Sequence, residues 1–372
     1  MPTALNDLLK ATSRSFYLTL RVLPARVRPQ IGLAYLLART TDTIADTEIL
    51  PVAQRLDALQ KLRERILGQN SAPLNFGELA QKQNLSAEKL LLEKVEDSLS
   101  ALQNFSETDQ KLIREVLNTI TSGQALDLKR FAGSATVPVA PVGVSPTGTK
   151  TIEVKTTSTA RETRALPTKI IALETAAELD DYTYRVAGCV GEFWTKICRV
   201  HLFSKAKIDD TQFIADGIRF GKGLQLVNIL RDLPTDLKNS RCYLPQEKLV
   251  EAGLTPEDLL QPANESKLRP LYNRYLDLAE SHLRAGWNYT NTIPFSQFRV
   301  RLACAWPIGI GVKTIARLRV ANVLDATQRL KVPRGEVKQM MFCSVLLYPF
   351  PGAWRKLFFT GRKAVASDAK LA

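Results

Sequence analysis

The chain has 372 residues, with 51 Lys and Arg against 37 Asp and Glu, for a formal net charge of +14. That charge fits nucleic acid, an anionic membrane or an anionic substrate, but the basic residues are spread along the chain with no zinc-finger, RNA-recognition or basic-zipper pattern, which argues against nucleic acid. Five cysteines without metal spacing suit reduced cytosolic thiols, two histidines leave little room for histidine chemistry, and no linker divides the chain into balanced halves, so the expectation is an all-α fold with one helical domain at 1–340.

No basic-then-apolar leader opens the sequence, and residues 4–10 read as a short amphipathic helix. It leads into Thr12-Ser-Arg-Ser-Phe16. Small hydroxyls beside an arginine suit phosphate oxygens, although helix capping is the plainer reading for Ser13 and Ser15. Beyond Pro24 and Pro29, the stretch Ile31–Asp46 is apolar except for Tyr35, Arg39, Asp42 and Asp46. These four step by four, three and four residues, so they share one side of a helix. Segments 53–70 and 87–103 read as charged scaffold helices, and 109–129 as a longer helix with Gly123 and Ala125 on a small-residue face.

Residues 132–167 break the pattern with Gly, Pro, Thr, Ser and Val, as a flexible insertion or a projecting hairpin would. Gly143 to Thr151 imitates a phosphate loop and fails it, because Lys150 does not follow the second glycine directly. Glu174–His201 reads as a helix containing Gly188 and Gly191, which suggests close approach by another helix or by a ligand. Tyr182 within it suits a core position as well as a site. In Gly221–Asp236 the polar residues Gln225, Asn228 and Asp232 repeat the same stepping from Gly221, while leucine, valine and isoleucine fill the rest of the circumference. Arg231 lies beside the stripe and Asp236 extends it. Pro234 is expected to bend or end the helix near Asp232, so that Asp236 need not sit one clean turn further on.

Residues 268–289 and 298–319 are further helices, the second holding Cys304-Ala-Trp-Pro307. Lys331-Val-Pro-Arg-Gly335 is a short basic segment. The tail at 341–372 contains Cys343–Trp354, shorter than the ~20 residues of a membrane span and broken by Pro349 and Pro351. Trp354, Phe358 and Phe359 among Arg355, Lys356, Arg362 and Lys363 suit either an interfacial anchor or a tail without fixed structure.

Two apolar helices, each with a pair of aspartates one turn apart, can oppose four carboxylates across a shared space. Four such groups cannot all stay ionised in a dry pocket without cations. Oxygen-ligated Mg²⁺, which keeps waters and bridges to substrate phosphates, is the natural solution.

Ser13–Phe16, Tyr35–Asp46, Tyr182–Gly191, Gln225–Asp236 and Arg241–Pro245 occur in an order that resembles the squalene/phytoene synthase family, the head-to-head branch of the trans-prenyltransferases, over roughly residues 8–340. The resemblance implies an isoprenoid-synthase-type helical bundle around a central cavity. It implies Mg²⁺ held by Asp42, Asp46, Asp232 and Asp236, with Gln225 and Asn228 orienting the metal shell. Ser13, Arg14, Ser15, Tyr35, Arg39, Arg231 and Arg241 fall at substrate positions, mostly toward diphosphate. Phe16, Ala187, Gly191, Cys304 and Pro307 would line the hydrocarbon cavity, and Tyr182 would stabilise cationic intermediates or assist proton transfer. Lys331 and Arg334 match a segment that squalene synthases associate with NADPH phosphate. The implied reaction joins two farnesyl diphosphates to presqualene diphosphate and reduces that to squalene with NADPH. Phytoene or dehydrosqualene synthesis, without reduction, is the alternative, and a catalytically silent membrane-associated member a further one. A cytoplasmic monomer in peripheral contact with the inner face of a membrane completes the expectation. Ala45 and Thr235 stand where many relatives carry acids, the 132–167 connection is longer than usual, and no Gly-x-Gly-x-x-Gly follows a strand, so any NADPH site would lie within the bundle.

Overall fold

The computed structural model describes residues 3–13, 16–47, 50–83, 85–132, 169–328 and 330–359. The first half contributes α1 (Thr3–Thr12), α2 (Phe16–Val22), α3 (Arg28–Asp46), α4 (Val52–Leu67), α5 (Gly77–Gln81), α6 (Ser86–Glu93), α7 (Val95–Gln103) and α8 (Glu107–Arg130). The second half contributes β1 (Ile171–Leu173), α9 (Ala176–Thr183), a π-helical turn (Tyr184–Gly188), α10 (Cys189–Leu202), α11 (Asp210–Lys238) and β2 (Arg241–Pro245). It closes with α12 (Gln246–Glu251), α13 (Glu265–Thr292), α14 (Phe298–Leu318), α15 (Arg334–Leu347) and α16 (Pro351–Arg355). The fold is all-α, as the composition implied. The exception among the described residues is a parallel pair, β1 with β2, whose few residues give too little alternation to read from sequence. The insertion or hairpin expected from 132–167 lies outside the described residues apart from Gly133's neighbour Ala132.

Helix ends follow local chemistry. The Ser106 hydroxyl accepts from the Asp109 N–H to start α8, Asp209 accepts from the N–H groups of Thr211 and Gln212 to start α11, and α4 ends at Gly68 in the left-handed region, φ 75°. One apolar core joins α1 to α8 and a second joins α9 to α14, and α10 serves both, with Ile197 in the first and Cys198 in the second. The halves are tied again where α14 packs on α2 and Arg299 Nε donates to the Val22 carbonyl at 2.8 Å.

The expectation that Pro234 could end its helix is corrected: α11 runs unbroken from Asp210 to Lys238. A proline at 234 cannot donate to the carbonyl of Leu230. The Tyr272 hydroxyl, buried on α13, donates to that oxygen instead at 2.8 Å, so the interruption leaves no orphaned acceptor. Asp232 and Asp236 therefore sit one turn apart on a continuous helix.

The glycines of the Tyr182 segment serve approach by a helix. A Cβ on Gly191 would lie 1.9 Å from the Gly217 carbonyl oxygen, and one on Gly221 would lie 2.1 Å from that of Ala187. Helix α10 and the π turn therefore touch α11 backbone to backbone. The tail aromatics also meet the body: Trp354 is only 1 % exposed, its ring 5.2 Å from that of Trp287, and Phe358 packs 5.0 Å from the same indole. Among the described residues no helix is long and apolar enough to cross a membrane.

Candidate active site

Helix α3 delivers the first acidic edge. Asp42 accepts a short hydrogen bond from Gln124 Nε2 on α8, and its nearest cation, Arg39, is 3.8 Å away. Arg39 is drawn off by Glu88 of α6, to which it donates at 2.7 Å. The Asp42 carboxyl lies deep in the fold yet keeps 45 % of its side-chain surface open to solvent. Burial, and then the neighbouring Asp46, push it up to about 6. Asp46 itself is exposed, and the Tyr35 hydroxyl reaches the Thr12 carbonyl at 3.4 Å.

Helix α11 delivers the second edge. Asp232 is gripped by its neighbour Arg231, Nε to Oδ1 at 2.9 Å and the second guanidinium nitrogen to Oδ2 at 2.5 Å. Burial, followed by repulsion from Asp232, pushes Asp236 up to about 7 in spite of Arg241 and Arg231. Asn228 is exposed and Gln225 half-buried, so this edge of an otherwise buried helix is open.

Helix α8 and strand β2 join the two edges. Asp127, which the sequence reading did not select, accepts from the Tyr243 hydroxyl at 3.2 Å to each oxygen and lies 3.9 Å from Arg241. It too is pushed up to about 6, by burial first, with Asp46 adding to the shift. Tyr182 stacks on Tyr243 at 4.8 Å, and its hydroxyl is held far above the usual phenol range by burial, then by Asp127, Asp236 and Asp42. One tyrosine thus feels carboxylates from α3, α8 and α11. The π turn directly after Tyr182 adds a residue to the helix there, a common device for re-aiming side chains at functional sites. The available signal for Asp127 was its spacing from Gln124, three residues along the same face of α8.

Other expected site residues fall elsewhere or face other groups. The Ser13 hydroxyl donates to the Leu9 carbonyl one turn back at 2.5 Å, a back-bond to the helix and not the N-cap acceptance that was the plainer expectation. Arg14 and Ser15 lie outside the described residues, as does the side chain of Phe16. Ala187 and Gly191 form the seam with α11 described above. Cys304 is buried in the second core beside Cys198 and Trp194, its thiol pushed up to about 12 by burial, and α14 continues through Pro307. Lys331 and Arg334 are exposed at the start of α15, which packs on α14.

The donor set suits a hard divalent cation. Asp42, Asp127 and Asp236 are raised by burial that their neighbouring arginines do not offset, and the Gln124 Oε1 beside Asp42 is a buried acceptor without a protein partner. Among the described residues no three His, Cys, Asp or Glu side chains are close enough to hold one ion by themselves. A cation here would take one or two carboxylates from the protein and complete its shell with water and phosphate oxygen, as Mg²⁺ prefers.

The family model described as squalene/phytoene synthase matches residues 9–336. A bifunctional lycopene cyclase/phytoene synthase of Gibberella fujikuroi is 29 % identical over 278 residues, 73 % of this chain and 40 % of that protein. A 15-cis-phytoene synthase of Enterobacter agglomerans is 31 % identical over 153 residues, 40 % of this chain and 47 % of its own length. The chain thus aligns with less than half the length of these curated relatives. Among solved structures, TcSQS bound to a ligand superposes with a TM-score of 0.68 at 20 % identity, covering 91 % of this chain and 84 % of that one. A dehydrosqualene synthase bound to a ligand gives a TM-score of 0.59 at 20 % identity, covering 93 % and 95 %. At that identity the likeness concerns the fold, which is that of the all-α isoprenoid synthases.

Proposed function

This chain belongs to the squalene/phytoene synthase family, and from that premise we propose that it condenses two prenyl diphosphates head to head at the carboxylate centre. The observation that carries the proposal is the convergence of acidic groups from α3, α8 and α11 on Tyr182. Asp42, Asp46, Asp232 and Asp236 would hold Mg²⁺, with Gln225 and Asn228 beside them. The chemistry that Mg²⁺ supplies when bound is neutralisation of diphosphate charge as the carbon–oxygen bond breaks. Arg231 and Arg241 offer guanidinium donors to the same oxygens, and Arg39 would exchange Glu88 for diphosphate. Burial favours the neutral Tyr182 hydroxyl, which would hold or hand on a proton and present its ring to a carbocation, with Tyr243 and Asp127 fixing its place. Water kept from the reacting carbons would prevent early quenching.

The curated relatives named phytoene synthase support the non-reducing reaction, and geranylgeranyl diphosphate is the substrate proposed for it. The second reading is squalene made from farnesyl diphosphate through presqualene diphosphate with NADPH. The residues that favour it are Cys304-Ala-Trp-Pro307 and Lys331-Val-Pro-Arg-Gly335. Peripheral contact with a membrane belongs to the same proposal, because the product is a hydrocarbon that partitions into lipid. The test incubates purified protein and Mg²⁺ with each diphosphate, with and without NADPH, and analyses products by mass spectrometry. Phytoene independent of NADPH is expected. Squalene formed only with farnesyl diphosphate and NADPH establishes the second reading, and no condensed hydrocarbon from either substrate refutes both.

A further inference from the structure

Helix α15 is apolar on two sides but packed on one. Its inner side is pinned to α14, where Trp306 Nε1 donates to Ser344 Oγ at 3.1 Å and Met340 is buried. Glu336, the helix's one acid, is turned onto Arg317 at 2.5 Å and Lys313 at 3.3 Å. The outer side carries Phe342, 64 % exposed, with Val345 and Leu346 at 51 % and 54 %, and the chain continues into Phe350 at 62 %. Positions three and four apart share a helix face, so Lys338, Phe342, Val345 and Leu346 make one stripe. Tyr348 connects this end of α15 to the start of α14, stacking on Phe295 at 4.7 Å and meeting Phe298 edge-on at 6.2 Å. All the exposed phenylalanines among the described residues are Phe295, Phe298, Phe342 and Phe350, so they lie in this one region.

The exposed charges of this segment are of one sign. Lys331, Arg334, Lys338, Arg355 and Lys356 are exposed, and between 331 and 356 no acidic residue is. A helix that shows solvent Phe342, Val345 and Leu346 opposite its packed side calls for cover there. A second copy of this chain would bring an identical basic rim against the first. An anionic bilayer offers apolar depth and opposite charge together. We propose that the outer face of α15, with Phe350 and the start of α14, docks onto anionic lipid, its apolar side chains entering the headgroup–acyl boundary while the basic rim meets lipid phosphates. The inference rests on the membrane-contact part of the proposed function for the class of partner, and is independent of which hydrocarbon is made.

The test is co-sedimentation with vesicles of phosphatidylcholine alone or mixed with phosphatidylglycerol, at low and high salt, without substrate. The expected result is binding to the anionic vesicles that weakens with salt. The F342Q/L346Q variant should lose about tenfold or more of that binding. K338E/K356E should lose it chiefly at low salt, V250Q on distant α12 should not, and all should melt as the wild type does. Equal binding by wild type and F342Q/L346Q overturns the proposal, as does a wild-type dimer that ignores vesicles and is dissociated by F342Q/L346Q. Turnover of detergent-dispersed substrate is measured in parallel. Face-dependent binding without turnover leaves the docking inference standing and removes the reaction, and turnover without binding does the reverse.

Discussion

The acidic centre and the α13–α14 surface use the same residue types to opposite ends. On the surface, Arg319 meets Asp277 at 2.6 Å and Glu280 at 3.0 Å, while Arg284 meets Glu280 at 2.8 Å. Burial alone would raise the Glu280 carboxyl, but the hydrogen bonds from the two arginines outweigh it and hold the group below its usual range. In the centre, Arg39 stands 3.8 Å from Asp42 and Arg241 stands 3.9 Å from Asp127, and both carboxyls go up. Asp232, by contrast, is held by Arg231 at 2.5 Å. The lesson is that acids in this chain are matched where they hold helices together and left short of cations where a ligand is expected to supply the balance.

The largest effect that tests this contrast is on turnover. Asp42→Asn and Asp232→Asn should each lower condensation by on the order of 10³-fold, because the charge holding Mg²⁺ and diphosphate is removed. Asp277→Asn should leave the rate unchanged; equal losses at all three positions would erase the distinction between the regions. Tyr272→Phe should cost about 1–3 kcal/mol by chemical denaturation, since it strands the Leu230 carbonyl that Pro234 frees. It should also weaken turnover if the register of Asp232 and Asp236 depends on that bond. Glu280→Gln should destabilise by about 1 kcal/mol, whereas Asp236→Asn should leave the metal-free protein as stable or make it more so.

The smallest effect is in pH. Folded Asp42, Asp127 and Asp236 hold protons up to about 6, 6 and 7, where the unfolded chain has already released them. The folded state then binds more protons, so stability falls as pH rises through that window. The lowered Glu280 contributes stability that is lost only below the usual carboxylate range, and so adds no slope there. Melting temperatures in chelator should therefore decline from about pH 5.5 to pH 8, and Mg²⁺ with pyrophosphate should flatten the decline. A rise with pH in chelator would contradict the cation deficit.

Both aspartate edges were legible because the spacing of polar residues within apolar helices is a local property. Asp127 was not, because its meaning comes from Tyr243 and Arg241 across the fold, and beside Lys129 and Arg130 it looks like an ordinary helix end. Pro234 misled for a related reason: its local penalty is real, but a hydroxyl from another helix offsets it. The Gly188–Gly191 expectation of close approach was met by α11. The pair β1–β2, which carries Arg241 and Tyr243 to the centre, was too short to show. Serine at 13 was ambiguous from the start, and its hydroxyl is spent on its own helix.

Calorimetric titration of inorganic pyrophosphate into the protein, with and without Mg²⁺, bears most directly on the claim that facing carboxylates on α3, α8 and α11 await a cation and a diphosphate. Binding should require Mg²⁺ and be lost in both Asp42→Asn and Asp232→Asn, with Asp277→Asn as the wild-type-like control. Pyrophosphate bound equally well in chelator, or held undiminished by either of the two centre variants, would contradict it.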